Sequence, residues 1–136
     1  MPEEKLRKAA CSCRRIELVF SGEPRLVYAC SCLECQRNTG SAFAYRAIYP
    51  ESAIVSRKGE PNSWRRSGSS GQWMEQHFCA TCGSLVFMRA ETLVDALSVS
   101  VGCFEDPDFP APARLSWAHR KHRWLALEGV PDAPSA

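Results

Sequence analysis

"RRIELVFSGEPRLVYAC", Arg14 to Cys30, alternates apolar and polar residues, breaks at "SGEP", and then alternates again. Side chains two apart in an extended chain share a face, so this period reads as half-buried β-strand. Gly22 and Pro24 punctuate the turn. The stretch therefore predicts two strands, Arg14–Phe20 and Arg25–Cys30, paired as a hairpin. Working outward, "FAYRAIY" (Phe43 to Tyr49) and "AIVSRK" (Ala53 to Lys58) are aromatic or β-branched runs on either side of Pro50. "SWRRS" and "QWMEQHF" flank "GSSG" (Gly68 to Gly71), a second hairpin with a flexible tip, and "SLVFMRA" and "ALSVSVG" complete the strand set. "LECQRNTGSA" holds helix formers up to Gly40, enough for one short helical turn at most. No long stripe with a 3.6-residue period and no internal repeat is present. The expectation is a mainly β, small single domain spanning residues 1–136.

Apolar residues make up 45% and charged residues 24% of the chain, which places it among globular rather than disordered or fibrous proteins. The formal charge of +2 is too small to argue for a nucleic-acid or membrane partner. "MPEEKLRKAA" has no apolar stretch behind it and no run approaches a membrane span, so the expected address is cytoplasmic. In that compartment eight cysteines do not count as four disulfides. An exported chain would revive a disulfide framework, but the CxC and CxxC spacings suit a tetrahedral metal better. Beyond the Pro-rich connector from Glu105 to Ala113, Trp117, Trp124, Leu125 and Leu127 are expected to pin the last segment to the body. The basic run His119 to Arg123 reads as a solvated face, and nucleic-acid contact is not expected.

Cys11 and Cys13 form a CxC pair whose thiols share a face in an extended chain. Cys79 and Cys82 form a CxxC followed by Gly83, a spacing that wraps one turn around an ion. Together the two pairs predict a closed, structural four-thiolate zinc site that staples the N-terminal edge to the middle of the chain. Cys30, Cys32 and Cys35 combine both spacings within six residues. Three local ligands can hold a metal with one side open, as a catalytic zinc requires. The competing reading closes this site too, with Cys103 or His77 as a fourth ligand. Against it, Cys103 is isolated and reads as a buried free cysteine, while His77 reads as satisfied or solvent-facing. Seven thiolates around two zinc ions would take the formal charge to about −1. Arg37 and Arg46 are the cations nearest the trio in sequence and could offset its charge or pair with substrate carboxylates; the alternative for each is an ordinary surface arginine. Ser31 could donate to a sulfur held by the metal.

A CxC near the start, a CxCxxC some twenty residues on, and "FCATCG" after a Ser/Gly hairpin resemble the glutathione-dependent formaldehyde-activating enzyme family, which includes the centromere protein V relatives. "VGCFEDP" is similar to that family's Gly-x-x-Asp-Asp-Pro segment, and "WLALEGVP" to its closing Trp-x-x-Leu stretch. Two positions depart: Ser31 stands where members often carry histidine, and Glu105 replaces the first Asp. The resemblance implies a mainly β zinc domain similar to the Rab-associated zinc protein fold. It implies structural zinc at Cys11, Cys13, Cys79 and Cys82, and catalytic zinc at Cys30, Cys32 and Cys35 that meets the glutathione thiol. The activity implied is that of a carbon–sulfur lyase or thiol–aldehyde adduct enzyme, acting on glutathione and formaldehyde or a related small aldehyde. The rival from another class is a zinc-stabilised protein- or nucleic-acid-binding module without catalysis.

Overall fold

The computed structural model describes residues 5–68 and 71–133; Met1 to Glu4, the hairpin-tip residues Ser69 and Ser70, and residues 134–136 lie outside it. Among the described residues ten strands and one α-helix follow one another: β1 (Leu6–Ala10), β2 (Glu17–Ser21), β3 (Leu26–Cys30), α1 (Leu33–Thr39), β4 (Ala44–Pro50), β5 (Ile54–Lys58), β6 (Asn62–Ser67), β7 (Trp73–Phe78), β8 (Leu85–Ala90), β9 (Ala96–Ser100) and β10 (Leu115–Ser116). Three of them form a small sheet in the order β1-β2-β5, and seven form a larger one in the order β10-β3-β4-β9-β8-β7-β6. Between these strands every pairing is antiparallel except β10 with β3, and an isolated parallel bridge joins Leu115 of β10 to Asp132.

The expected hairpin from Arg14 to Cys30 does not form. β2 and β3 exist, but β2 pairs with β1 and β5, whereas β3 pairs with β4 and β10. "SGEP" carries the chain from one sheet to the other, with Gly22 at φ 85 and Pro24 unable to donate to a ladder. The two alternating faces pack across the sheets instead. Phe20 of β2 stacks on Tyr49 of β4 with ring centroids 4.4 Å apart. Ala9, Leu18 and Phe20 from the small sheet join Val27, Ala47, Tyr49, Leu97 and Val99 from the large one in a single buried cluster. By contrast, the hairpin around "GSSG" forms as expected, with Asn62 to Ser67 opposite Phe78 to Trp73.

β4 places Tyr45, Ala47 and Tyr49 on this core and turns Ala44, Arg46 and Ile48 to the opposite face. There α1 covers the sheet. Cys32 caps the helix N-terminus and Gly40 ends it at φ 63 in the left-handed region, giving seven residues, more than the single turn expected. The last segment is anchored by parallel pairing of Leu115 and Ser116 with Ala29 and Cys30, and by Leu125, which is buried with Ala29 and Leu115. Leu127 packs against that cluster, but Trp124 is 72% exposed and pins nothing. Among the described residues no helix is long and apolar enough to cross a membrane.

Candidate metal centres

Cys11 follows β1 directly and opens a tight loop. Its carbonyl accepts from Arg14 N–H, its N–H donates to Ile16 carbonyl, and Arg14 takes a left-handed φ of 64. Cys79 and Cys82 occupy the β7–β8 turn, where Gly83 N–H donates to Cys79 carbonyl with Gly83 at φ 80. Backbone N–H groups point at the sulfurs: Ile16 onto Cys11 Sγ at 3.3 Å, and Thr81 and Cys82 onto Cys79 Sγ at 3.4 and 3.5 Å. Such donors favour thiolates over thiols. Cys11 and Cys13 sulfurs lie 3.7 Å apart, and Cys13 and Cys79 sulfurs 3.6 Å. Those separations are too long for a disulfide. They match the edge of a tetrahedron with Zn–S bonds of about 2.3 Å, which is about 3.8 Å. All four ligand atoms fall within 4.8 Å of one another, so donor set and spacing fit a zinc ion.

Cys30 closes β3, Cys32 sits between strand and helix, and Cys35 lies in the first turn of α1. Their ligand atoms also gather within 4.8 Å of one another. Cys32 Sγ accepts the Cys35 N–H at 3.3 Å, so the thiol that caps the helix is also a member of the cluster. Cys30 and Cys35 are buried while Cys32 is partly exposed, which leaves the approach on its side. Hydrogen bonds from the Cys30 and Cys35 thiols hold Cys32 down to about 2, and the donation to Cys32 pushes Cys30 well up. Crowded together, the three sulfurs carry charge at Cys32 first; a divalent cation among them would let all three ionise.

No fourth ligand joins the trio among the described residues. Cys103 is half-buried, its thiol directed at Leu85 carbonyl 3.8 Å away and pushed up to about 11 by burial. His77 bonds Glu75 at 2.7 Å and stacks on Phe87; burial lowers it, against the pull of Glu75. Tyr28, Ala44 and Trp117 pack around the three thiols. The alternation of "RLVYAC" could have placed Tyr28 on the face of Cys30; only the parallel β3–β10 pairing brings Trp117 there.

The sequence profile of the glutathione-dependent formaldehyde-activating enzyme family matches residues 6–120, most of the chain and all seven clustered cysteines. The chain belongs to that family. Its fold is similar to the crystal structure of a Rhodobacter sphaeroides protein from a structural genomics programme, with a TM-score of 0.52, 19% identity, and coverage of 93% of this chain and 99% of that one. A comparison with curated proteins found no match.

In this member of the glutathione-dependent formaldehyde-activating enzyme family, the other expected site residues fall in different places. Ser31 is fully buried; its hydroxyl donates to Ala42 carbonyl, not to a sulfur, and its N–H donates to Ser116 carbonyl. Arg37 is exposed and paired with Glu34 at 2.8 Å. Two residues beyond Cys35, it projects about 200° round the helix from that thiol. Arg46, far from being a surface arginine, is 1% exposed beneath α1. Asn38, which no motif marks, accepts from its guanidinium at 2.9 Å. Glu105 pairs with Arg14 at 2.6 Å, beside the loop that holds Cys11 and Cys13.

Proposed function

We propose that this chain is a zinc-dependent carbon–sulfur lyase or thiol–aldehyde adduct enzyme handling glutathione and formaldehyde, or a closely related thiol and small aldehyde. Two zinc ions would be held, one structural at Cys11, Cys13, Cys79 and Cys82, one catalytic at Cys30, Cys32 and Cys35. The observation that carries the reading is the asymmetry of the clusters: four thiols in one, three in the other, with the partly exposed Cys32 on the open side. Family membership supports the same chemistry. Eight cysteines with no disulfide suit a reducing cytoplasm.

Zinc bound by the trio would supply the positive charge that keeps a substrate thiol ionised at neutral pH. The substrate sulfur bonds to the aldehyde carbon, the carbonyl electron pair moves to oxygen, and the proton given up by the thiol ends there. The lyase direction reverses each event. Cys30 and Cys35 are fixed by strand and helix, so approach is restricted to the side of Cys32 and the flanking Trp117. Trp117 gives that side an apolar wall and limits water. Arg37 lines a groove of about 650 Å³ with Leu33, Gln36, His122 and Trp124; none of the three cysteines lines that groove, so a substrate thiol at the trio would have to extend round α1 for its carboxylate to take Arg37 from Glu34. An exposed pair of this kind is worth only about 0–1 kcal/mol, so the exchange costs little.

Elemental analysis should find two zinc ions per chain. Calorimetry on the zinc-loaded protein should show glutathione binding that strengthens with pH until the free thiol ionises, near about 8.5. S-methylglutathione, whose thioether cannot become anionic, should lose most of that affinity. Equal affinity for the two compounds would remove the thiol from the metal and favour a binding module without catalysis.

A further inference from the structure

Arg46 lies on the sheet face that carries the trio. On β4 it stands two residues from Ala44, which is paired with Cys30, and it is itself paired with Tyr28. Its guanidinium reaches Asn38 Oδ1 at 2.9 Å, one turn beyond Cys35 on α1, and approaches Ser100 Oγ at 3.5 Å. At 1% exposure it is among the largest fully buried side chains. Among the described residues none of the ion pairs involves it: both of its partners are neutral. The rest of its surroundings, Tyr28 hydrogen-bonded to Ser98 and the buried Met88 that Asn38 contacts, bring no anion either.

A buried cation without a counter-anion is costly, and burial of charge is tolerated when it is paired. The cluster on this face that would become anionic with a metal bound is the trio: Cys30 is paired with Ala44, two residues along β4 from Arg46, and Cys35 lies one turn before Asn38 on α1. Three thiolates around a divalent ion carry a net −1, which one guanidinium balances. We propose that Arg46, held by Asn38, is a positioning residue that sets the charge of the three-cysteine site. It balances the thiolates from beneath and never touches the substrate. The neutrality of Asn38 is part of the device, because a carboxylate at that position would satisfy Arg46 locally and withdraw its charge from the sulfurs. This inference rests on the trio being a metal site, as proposed above.

The test uses full-length protein carrying one equivalent of zinc, then titrated with cobalt(II), in the native form and as Asn38→Asp, Arg46→Met and Arg46→Lys. Outer partners of metal ligands typically contribute 10–100-fold to affinity. Asn38→Asp and Arg46→Met should therefore bind the second metal roughly 10–100-fold more weakly, with Arg46→Lys in between. The thiolate-to-cobalt absorption band should move to lower energy in the same two variants, since the sulfur electrons lie higher once the nearby positive charge is removed or neutralised. A purely structural role would not shift that band in Asn38→Asp, which preserves size and a polar contact to Arg46. That variant decides the matter if Arg46→Met does not fold. Unchanged affinity and an unmoved band in Asn38→Asp would overturn the proposal while leaving the two-metal reading intact. Failure of the native protein to take up a second metal would overturn both.

Discussion

At the scale of single residues, two glycines with left-handed backbone differ in what surrounds them. Gly59 has φ +79, and a Cβ there would meet Arg15 carbonyl oxygen at 2.1 Å and Ile16 Cδ1 at 3.0 Å. Gly40 has φ +63 and nothing within 4 Å of a Cβ. Both substitutions incur the left-handed cost, about 1–2 kcal/mol for an L-residue. Only Gly59→Ala also forces backbone apart, at the loop that positions Cys11 and Cys13. Gly40→Ala should thus cost about 1 kcal/mol, and Gly59→Ala about 3 kcal/mol or more, in urea unfolding of the zinc-loaded protein. Equal losses would show that the close approach to Arg15 relaxes freely. Arg46 illustrates the opposite kind of constraint, where the side chain and not its absence is what the site requires.

At the scale of elements, α1 joins two jobs in one residue. Cys32 is both the helix N-cap and a member of the trio. Serine is a good cap and alanine a poor one, a difference of about 0.5–2 kcal/mol. Cys32→Ser and Cys32→Ala should therefore both lose the trio's metal by elemental analysis, yet Cys32→Ala should melt lower, by about 1 kcal/mol in stability. Identical melts would mean that the thiol cap contributes nothing to the helix. What could be read from the sequence also divides at this scale. The cysteine clusters were legible because CxC and CxxC encode ligand geometry locally. The β6–β7 hairpin was legible because its two strands share one short turn. The supposed β2–β3 hairpin was not, since alternation reports that a strand has a buried face but not which sheet receives it. "FAYRAIY" did contain a signal: apart from Arg46 both parities are apolar, as for a strand covered on both faces. An arginine inside such a strand is a buried charge, which sets aside the surface alternative for Arg46 and leaves its expected role of offsetting the trio's charge. Trp117 was beyond reach, because Ser31 N–H to Ser116 carbonyl is a contact across most of the chain. The expected anchoring by Trp124 failed for a related reason, as Leu125 takes the inward position beside it.

At the scale of the whole molecule, the two cysteine clusters draw on very different spans of the chain. Cys11 and Cys13 leave the small sheet, and Cys79 and Cys82 sit in a turn of the large sheet, so the closed cluster joins the two layers around the core. Ser12 N–H and Ser84 Oγ, 3.1 Å apart, follow the same junction. Cys13 and Cys79 lie 66 residues apart, whereas the whole trio falls within one strand end and one helical turn. By loop-closure entropy, joining the longer span restricts the unfolded chain by about 2 kcal/mol more than joining the trio. The larger difference is in the native state, where metal binding and folding are coupled when the ligands come from separate layers. Cys79→Ser should consequently unfold or aggregate, and Cys32→Ser should keep a cooperative melt close to that of the native protein. Titration with a chelator adds a second measure: one metal should leave without change in far-ultraviolet circular dichroism, and loss of the other should coincide with unfolding. Equal damage in the two mutants, or unfolding with the first metal removed, would make the trio a second structural site, and the case for an open, thiol-binding position there would fall.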